Sequence, residues 1–300
     1  MSIRPLPILP FRPPGPYIRP IPEPVKKRAN MTIVVGFQCT NGVLLCADTL
    51  MSWSGSTGKT YQSKILPVQP EADSYLAYAG DRDFIDDFLA EVRKATAGKS
   101  GTDLLETVGR VYSKFHSDHY THAPKSERTW AHILITAKVN GKVVLYAGRA
   151  RHFSQVESCC TVGIGAEHAE SIVQSLYEKK LPMDTAYYVG IHTLYKVKKF
   201  VQGCGGKTDV AWIGDREIDE SFAFYRRTPK EVEEDLEFLD RKFEGWVMLF
   251  PRLVIPNQLF KIALKAFGKM LMEYRTPRIK KVEKQIKLYK ELQKRSRRTP

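Results

Sequence analysis

The sequence predicts an α+β domain, on three observations. Apolar, β-branched runs are joined at Asn-Gly turns, a pair of helical stretches follows with apolar residues at three- and four-residue intervals, and a second helical pair leads to a closing strand. The first run, Thr32 to Cys39, is linked through Thr40-Asn41-Gly42 to Val43 to Asp48 and reads as a β-hairpin. Antiparallel partners return toward each other's starts, so Thr32 and Asp48 become neighbours at one end. After a loop containing Gly and Ser, Ser63-Lys64-Ile65-Leu66 opens a third apolar run with a lysine at its mouth, and Tyr75 to Gly80 gives another strand.

Helices are predicted from Asp83 to Ala97 and from Thr102 to His119, because Phe84, Phe88 and Val92, then Leu105, Val108, Val111 and Phe115, recur at helical spacing. A second hairpin joins Ala131–Ile135 to Lys142–Tyr146 through Asn140-Gly141. Two more helices, Glu167 to Glu178 and Pro182 to Val201, precede a strand at Asp209–Ile213. Farther on, Thr228, Pro229 and Glu231 supply the N-cap, first-turn proline and capping-box acid of a helix running to Phe243. Another helix is expected from Asn257, with Leu259, Ile262, Phe267 and Met270 on one side.

Three segments result: a Pro-rich tail over 1–30, a folded body over 31–220 and a helical, basic extension over 221–300. Nine of the 18 prolines fall in the tail, which suits polyproline II or a disordered leader and excludes a helix there. Of the net charge of +14, the tail holds six basic and one acidic residue, and 277–300 hold ten and two. The basic excess therefore sits in the two ends rather than on a folded face with interleaved aromatics, which argues against specific nucleic-acid binding. No apolar run reaches membrane-spanning length: Trp246 to Phe250 is stopped by Pro251 and Arg252. Five cysteines without metal-ligand spacing fit a reduced, cytoplasmic chain.

Several patterns imitate sites without completing them. His116, His119 and His122 recur every third residue, but steps of three drift around a helix, so capping or solvated histidines are expected rather than a metal site. Gly203 to Thr208 imitates a phosphate-binding loop, yet Val201 occupies the first glycine's place and the segment follows a helix. Gly163-Ile164-Gly165 lacks the third glycine of a dinucleotide fingerprint. Neither cofactor nor metal is expected.

Counted without a gap from Thr32, Gly42, Asp48 and Lys64 fall where β-type proteasome subunits and the wider N-terminal-nucleophile hydrolases place a hairpin glycine, an aspartate and a catalytic lysine. Tyr75-Leu76-Ala77-Tyr78-Ala79-Gly80 resembles the family's strand ending in Ala-Gly, with two extra residues before it, and a weaker likeness extends to about Asp215. The chain resembles the bacterial or archaeal proteasome-like branch. That resemblance implies a four-layer αββα sandwich and a threonine hydrolase that cleaves peptide bonds through an acyl-ester on Thr32. The α-amine of Thr32 would serve as base, since an amine of pKa about 8 suits proton transfer near neutrality. Lys64 and Asp48 would tune and orient it, and the Gly80 N–H would face the oxyanion. Met51, Ser52, Gln62, Leu66 and Tyr78 correspond to the substrate-binding positions, and a homo-oligomeric ring is the family's usual assembly.

The amine requires release, because 31 residues precede Thr32. Self-cleavage after Met31 would supply it, as would translation beginning at Met31 followed by methionine removal, the route favoured by the bulk of Met31. The chain departs from the family at Ile164, Val201 and Cys204, where polar supports are usual, and at Leu50, where many relatives carry arginine. A catalytically inactive scaffold subunit and a hydrolase of non-peptide amides are the alternatives.

Overall fold

The computed structural model describes residues 32–52, 59–69, 74–125, 128–129, 131–176, 180–215 and 227–247, together with scattered positions between 265 and 291. The Pro-rich tail, Met31, the segment around Pro251 and, of the helix expected from Asn257, Leu259, Ile262, Phe267 and Met270 lie outside the described residues, whereas Lys265, Gly268 and Lys269 are helical. The fold is mixed α/β with antiparallel sheets.

The strands are β1 (Ile33–Cys39), β2 (Gly42–Asp48), β3 (Leu50–Ser52), β4 (Lys59–Tyr61), β5 (Ile65–Gln69), β6 (Ser74–Gly80), β7 (Ala131–Val139), β8 (Lys142–Arg149), β9 (His152–Val156), β10 (Cys159–Gly163) and β11 (Thr208–Gly214). The helices are α1 (Arg82–Ala95), α2 (Gly101–His116), α3 (Ala166–Leu176), α4 (Met183–Phe200) and α5 (Pro229–Val247). One sheet runs β10-β1-β2-β11, a second runs β5-β6-β7-β8-β9, and β3 pairs with β4.

Both hairpins form, with one shift at the first. Cys39 pairs with Gly42, so the turn residues are Thr40 and Asn41, and Gly42 belongs to the strand. Glycine is required there by close approach: φ is +145°, and a Cβ would stand 2.1 Å from the Ile213 carbonyl oxygen. In the second hairpin Asn140 and Gly141 both take positive φ, 51° and 77°, as a two-residue turn matched to strand twist demands.

Alternation along β1 explains why the entire run is apolar. Ile33, Val35 and Phe37 face Val173 of α3 and Tyr187, Ile191 and Leu194 of α4 in one core cluster. The intervening Val34, with Leu45 and Ala47 of β2, packs on Ala77, Ala79, Leu134 and Leu145 of the second sheet. On the far side of that second sheet, Leu76, Tyr78, Ile133 and Ile135 meet Phe84, Phe88 and Val92 of α1 and Leu105, Val108 and Tyr112 of α2. A strand buried on both faces reads as continuous rather than alternating hydrophobicity. Each fully buried aliphatic or aromatic side chain contributes about 1.5–3 kcal/mol.

Helix boundaries follow local chemistry. Asp81 caps α1, its carboxylate accepting from the amides of Asp83 and Phe84 at 3.0 and 3.3 Å. The capping box of α5 forms as its sequence predicts: Thr228 N–H donates to Glu231 Oε2 at 3.0 Å and Glu231 N–H to Thr228 Oγ1 at 3.3 Å. α2 ends at His116 and continues as one π-helical turn, Ser117–Thr121. Strands β9 and β10 lack a sequence signal, because polar His152, Ser154 and Gln155 and adjacent Cys159-Cys160 break the apolar pattern of edge strands.

Candidate functional site

The hairpin delivers Asp48 to the start of β1, where Asp48 Oδ1 accepts from the Ile33 amide at 3.1 Å, one residue beyond Thr32. Lys64, immediately before β5, reaches the same carboxylate: its Nζ donates to Asp48 Oδ1 at 2.7 Å and to the Leu50 carbonyl at 2.6 Å. Neither side chain of the pair is exposed to solvent. Asp48 Oδ2 accepts from the Gly205 amide at 2.9 Å. A carboxylate meeting three donors and no acceptor suits the ionised form, with Lys64 as its counter-charge.

Burial opposes that charge separation. It pushes Lys64 below the ordinary ammonium range, against the attraction of Asp48, and it lifts Asp48 above the usual carboxylate range, against Lys64 and the Gly205 and Ile33 amides. The outcome is a lysine that gives up its proton more readily than one in water.

A glycine brings the neighbouring strand β10 onto Thr32. Gly163 of β10 pairs with Ile33. A Cβ on Gly163 would lie 2.0 Å from the Thr32 carbonyl oxygen and 3.2 Å from the Ala79 Cβ, and its φ of +111° is glycine territory. Gly80, φ +136°, closes β6 opposite Ala131. The end of β6 is tied to the lysine through its backbone, with the Tyr78 amide donating to the Lys64 carbonyl at 3.1 Å. Thr32 itself is 1% exposed in the full chain.

The structure thus gathers Thr32, Asp48 and Lys64 at one end of β1, β2 and β5, with the Ala79-Gly80 end of β6 alongside. The expected substrate positions are more dispersed. Met51 is buried in β3, Ser52 ends that strand opposite Lys59, and exposed Gln62 donates its amide to Thr49 O at 2.9 Å. Leu66 and Tyr78 turn toward α1 and α2, and the Tyr78 hydroxyl accepts from Arg82 Nη1 at 2.8 Å. Tyr78 is completely buried, and burial raises its phenol despite Arg82.

Gly205 and the Leu50 carbonyl are the functional groups that side-chain reasoning passed over. Both act through the backbone, where sequence carries no label beyond the Gly205-Gly206 pair. The loop resembling a phosphate cradle instead aims its Gly205 amide at Asp48, and its Lys207 amide donates to Thr49 Oγ1 at 2.9 Å. Cys204 is buried beside this pair, its thiol pushed up to about 12 by burial and by the Asp48 charge, so it stays a neutral thiol. Val201 follows the last turn of α4 as its C-cap, and Ile164 is 56% exposed on the loop between β10 and α3. The three spaced histidines diverge: His116 lies against Tyr112 and Tyr120, His119 stacks on Phe115, and His122 Nδ1 meets Ser117 Oγ.

No helix among the described residues is long and apolar enough to cross a membrane. No protein-family model and no curated protein matches the chain.

Proposed function

We propose that the chain is a proteasome-like threonine hydrolase of the N-terminal-nucleophile class that cleaves peptide bonds. The observation that carries this reading is the solvent-free Asp48–Lys64 pair whose carboxylate also accepts the Ile33 amide, directly beside Thr32. Such a pair is costly to bury, and a buried ion pair adds little stability by itself, so a chemical role accounts for it better than a structural one. The three core clusters, with helices against the outer face of each sheet, support a four-layer αββα order for the body.

The chemistry starts once the residues before Thr32 are removed. The freed α-amine takes the hydroxyl proton while Oγ attacks the substrate carbonyl, and the Gly80 N–H receives the oxyanion. Collapse breaks the C–N bond, the departing amine takes the proton, and an acyl-ester remains on Thr32. Water, deprotonated by the same α-amine, attacks that ester and restores the hydroxyl. Lys64 holds positive charge near the amine and disfavours its protonation, and Asp48 fixes the Lys64 position. Of the expected substrate positions, Met51, Ser52 and Gln62 serve the acyl side of the substrate, since Leu66 and Tyr78 pack toward α1 and α2; the reaction uses no cofactor, and copies of the chain assemble as a ring in the cytoplasm.

A second reading, a scaffold subunit without activity, draws on Ile164 and Val201, whose side chains offer no hydrogen bond where relatives have polar groups. Intact mass spectrometry combined with a threonine-directed electrophile separates the two. A mature chain beginning at Thr32 that takes one label, lost in Thr32→Ala, upholds the hydrolase. An unprocessed chain that takes no label upholds the scaffold.

A further inference from the structure

A cavity of about 500 Å³ opens at β9 and β10, edge strands of the two sheets, lined also by Ser158 between them and by Glu170, Val173 and Gln174 of α3. It exists because small side chains meet at this corner. Ala147, Ser154 and Cys160 line it, whereas Leu134 and Leu145 fill the space between the sheets deeper in. The volume lies within the range of about 300–1,000 Å³ usual for small-molecule sites.

Its walls carry opposite charges. Arg149, at the end of β8, is steered by hydrogen bonds from its Nη2 to the Thr161 carbonyl and to Cys160 Sγ, the latter at 3.1 Å. Across the cleft Glu170 projects from α3, with Gln174 Nε2 donating to its Oε1 at 3.5 Å. Both charges act on the Cys160 thiol: burial raises it, Arg149 lowers it and Glu170 raises it. Arg149 and Glu170 form no ion pair with each other among the described salt bridges, so each keeps charge available to a third party. Val156, packed on the inter-sheet core, and Val173, packed on the α3 and α4 core, add apolar surface to the lining beside the serine hydroxyls.

We propose that this cleft binds a small zwitterion of peptide type, its carboxylate on Arg149, its ammonium on Glu170 and an aliphatic side chain against Val156 and Val173. A planar guanidinium suits a carboxylate bidentately, and a carboxylate suits a primary ammonium, so a lining with one cationic and one anionic side chain suits a ligand charged at both ends. The site is separate from the Thr32 reaction and stands whether or not that reaction occurs.

Isothermal titration of the full chain with alanyl-leucine, N-acetylalanyl-leucine, alanyl-leucinamide and free leucine tests it. Alanyl-leucine binds saturably, and acetylation or amidation each weakens binding by at least about tenfold, the worth of one charge-assisted hydrogen bond. In Glu170→Gln, a change on an exposed helix position, the acetylation penalty disappears while the amidation penalty remains. Free leucine binding markedly more weakly than the dipeptide upholds the peptide-type ligand, and free leucine binding as tightly overturns it. Absence of saturable alanyl-leucine binding, or an acetylation penalty unchanged by Glu170→Gln, overturns the proposal.

Discussion

Replacing Lys64 by Met keeps most of the side-chain volume and removes the cation from Asp48. At the 2.7 Å separation of this pair, Coulomb attraction at an effective dielectric of 20 amounts to about 6 kcal/mol. Lys64 also gave up its own hydration on folding, and losing that cost offsets part of the attraction. Removing one partner of a buried pair costs about 3–5 kcal/mol net. For a denaturant slope near 3 kcal/mol per molar, the urea midpoint falls by about 1–2 M.

The pH dependence of the Lys64→Met penalty supplies the sharper test. Burial already lifts Asp48 above its usual value of 3.8, and the variant removes the largest opposing influence. An acid whose folded-state pKa is raised binds more protons folded than unfolded, so its contribution to stability falls as pH climbs from about 4 through the folded pKa. The penalty of Lys64→Met is therefore smallest near pH 4 and grows toward pH 8, read as paired urea titrations of wild type and variant. A midpoint change under about 0.3 M at pH 7, or a penalty flat across that range, would refute the picture of a carboxylate dependent on Lys64 in a site closed to water.

Gly163→Ala combines a φ of +111° with a Cβ 2.0 Å from the Thr32 carbonyl oxygen. It costs at least about 2 kcal/mol, and a melting temperature equal to wild type refutes the close approach of β10 to Thr32. Asp240 is lifted by partial burial, but hydrogen bonds from Lys196 and Lys199 outweigh this and hold it below the usual carboxylate range. A depressed folded-state pKa gives stability that is present above pH 3.8 and lost as pH falls through the folded value. Asp240→Asn is accordingly destabilising near pH 7, and its penalty in thermal melts shrinks as pH falls below 3.8; a penalty that stays constant from pH 7 into acid contradicts the pairing of α4 with α5. Thr228→Ala removes the acceptor for the Glu231 amide and costs about 1 kcal/mol, visible as faster amide exchange in the first turn of α5.

Much of the architecture was legible locally. Apolar runs broken at Asn-Gly marked both hairpins, three- and four-residue periodicity marked α1 and α2, and the Thr228–Glu231 box marked the start of α5. The first turn was misplaced by one residue because Gly42 serves packing against Ile213 rather than the turn itself, a distinction that depends on β11, over 160 residues away. Edge strands β9 and β10 escaped notice, since the polar residues of β9 and the Cys159-Cys160 pair of β10 leave neither clear alternation nor a continuous apolar run, whereas β5 and β11 at the other two edges were marked by theirs.

The sequence alone determined which residues stand at the ends of β1, β2 and β5, because strand length and turn position are short-range properties; that was enough to single out Thr32, Asp48 and Lys64. Tertiary structure decided what those groups experience. Exclusion of water, the Gly205 amide on Asp48 and the approach of Gly163 to Thr32 arise from segments distant in sequence. The same long-range packing left an opening at β9 and β10 lined by both Arg149 and Glu170. Burial and convergence are sums over many remote neighbours, and no local pattern encodes a sum of that kind.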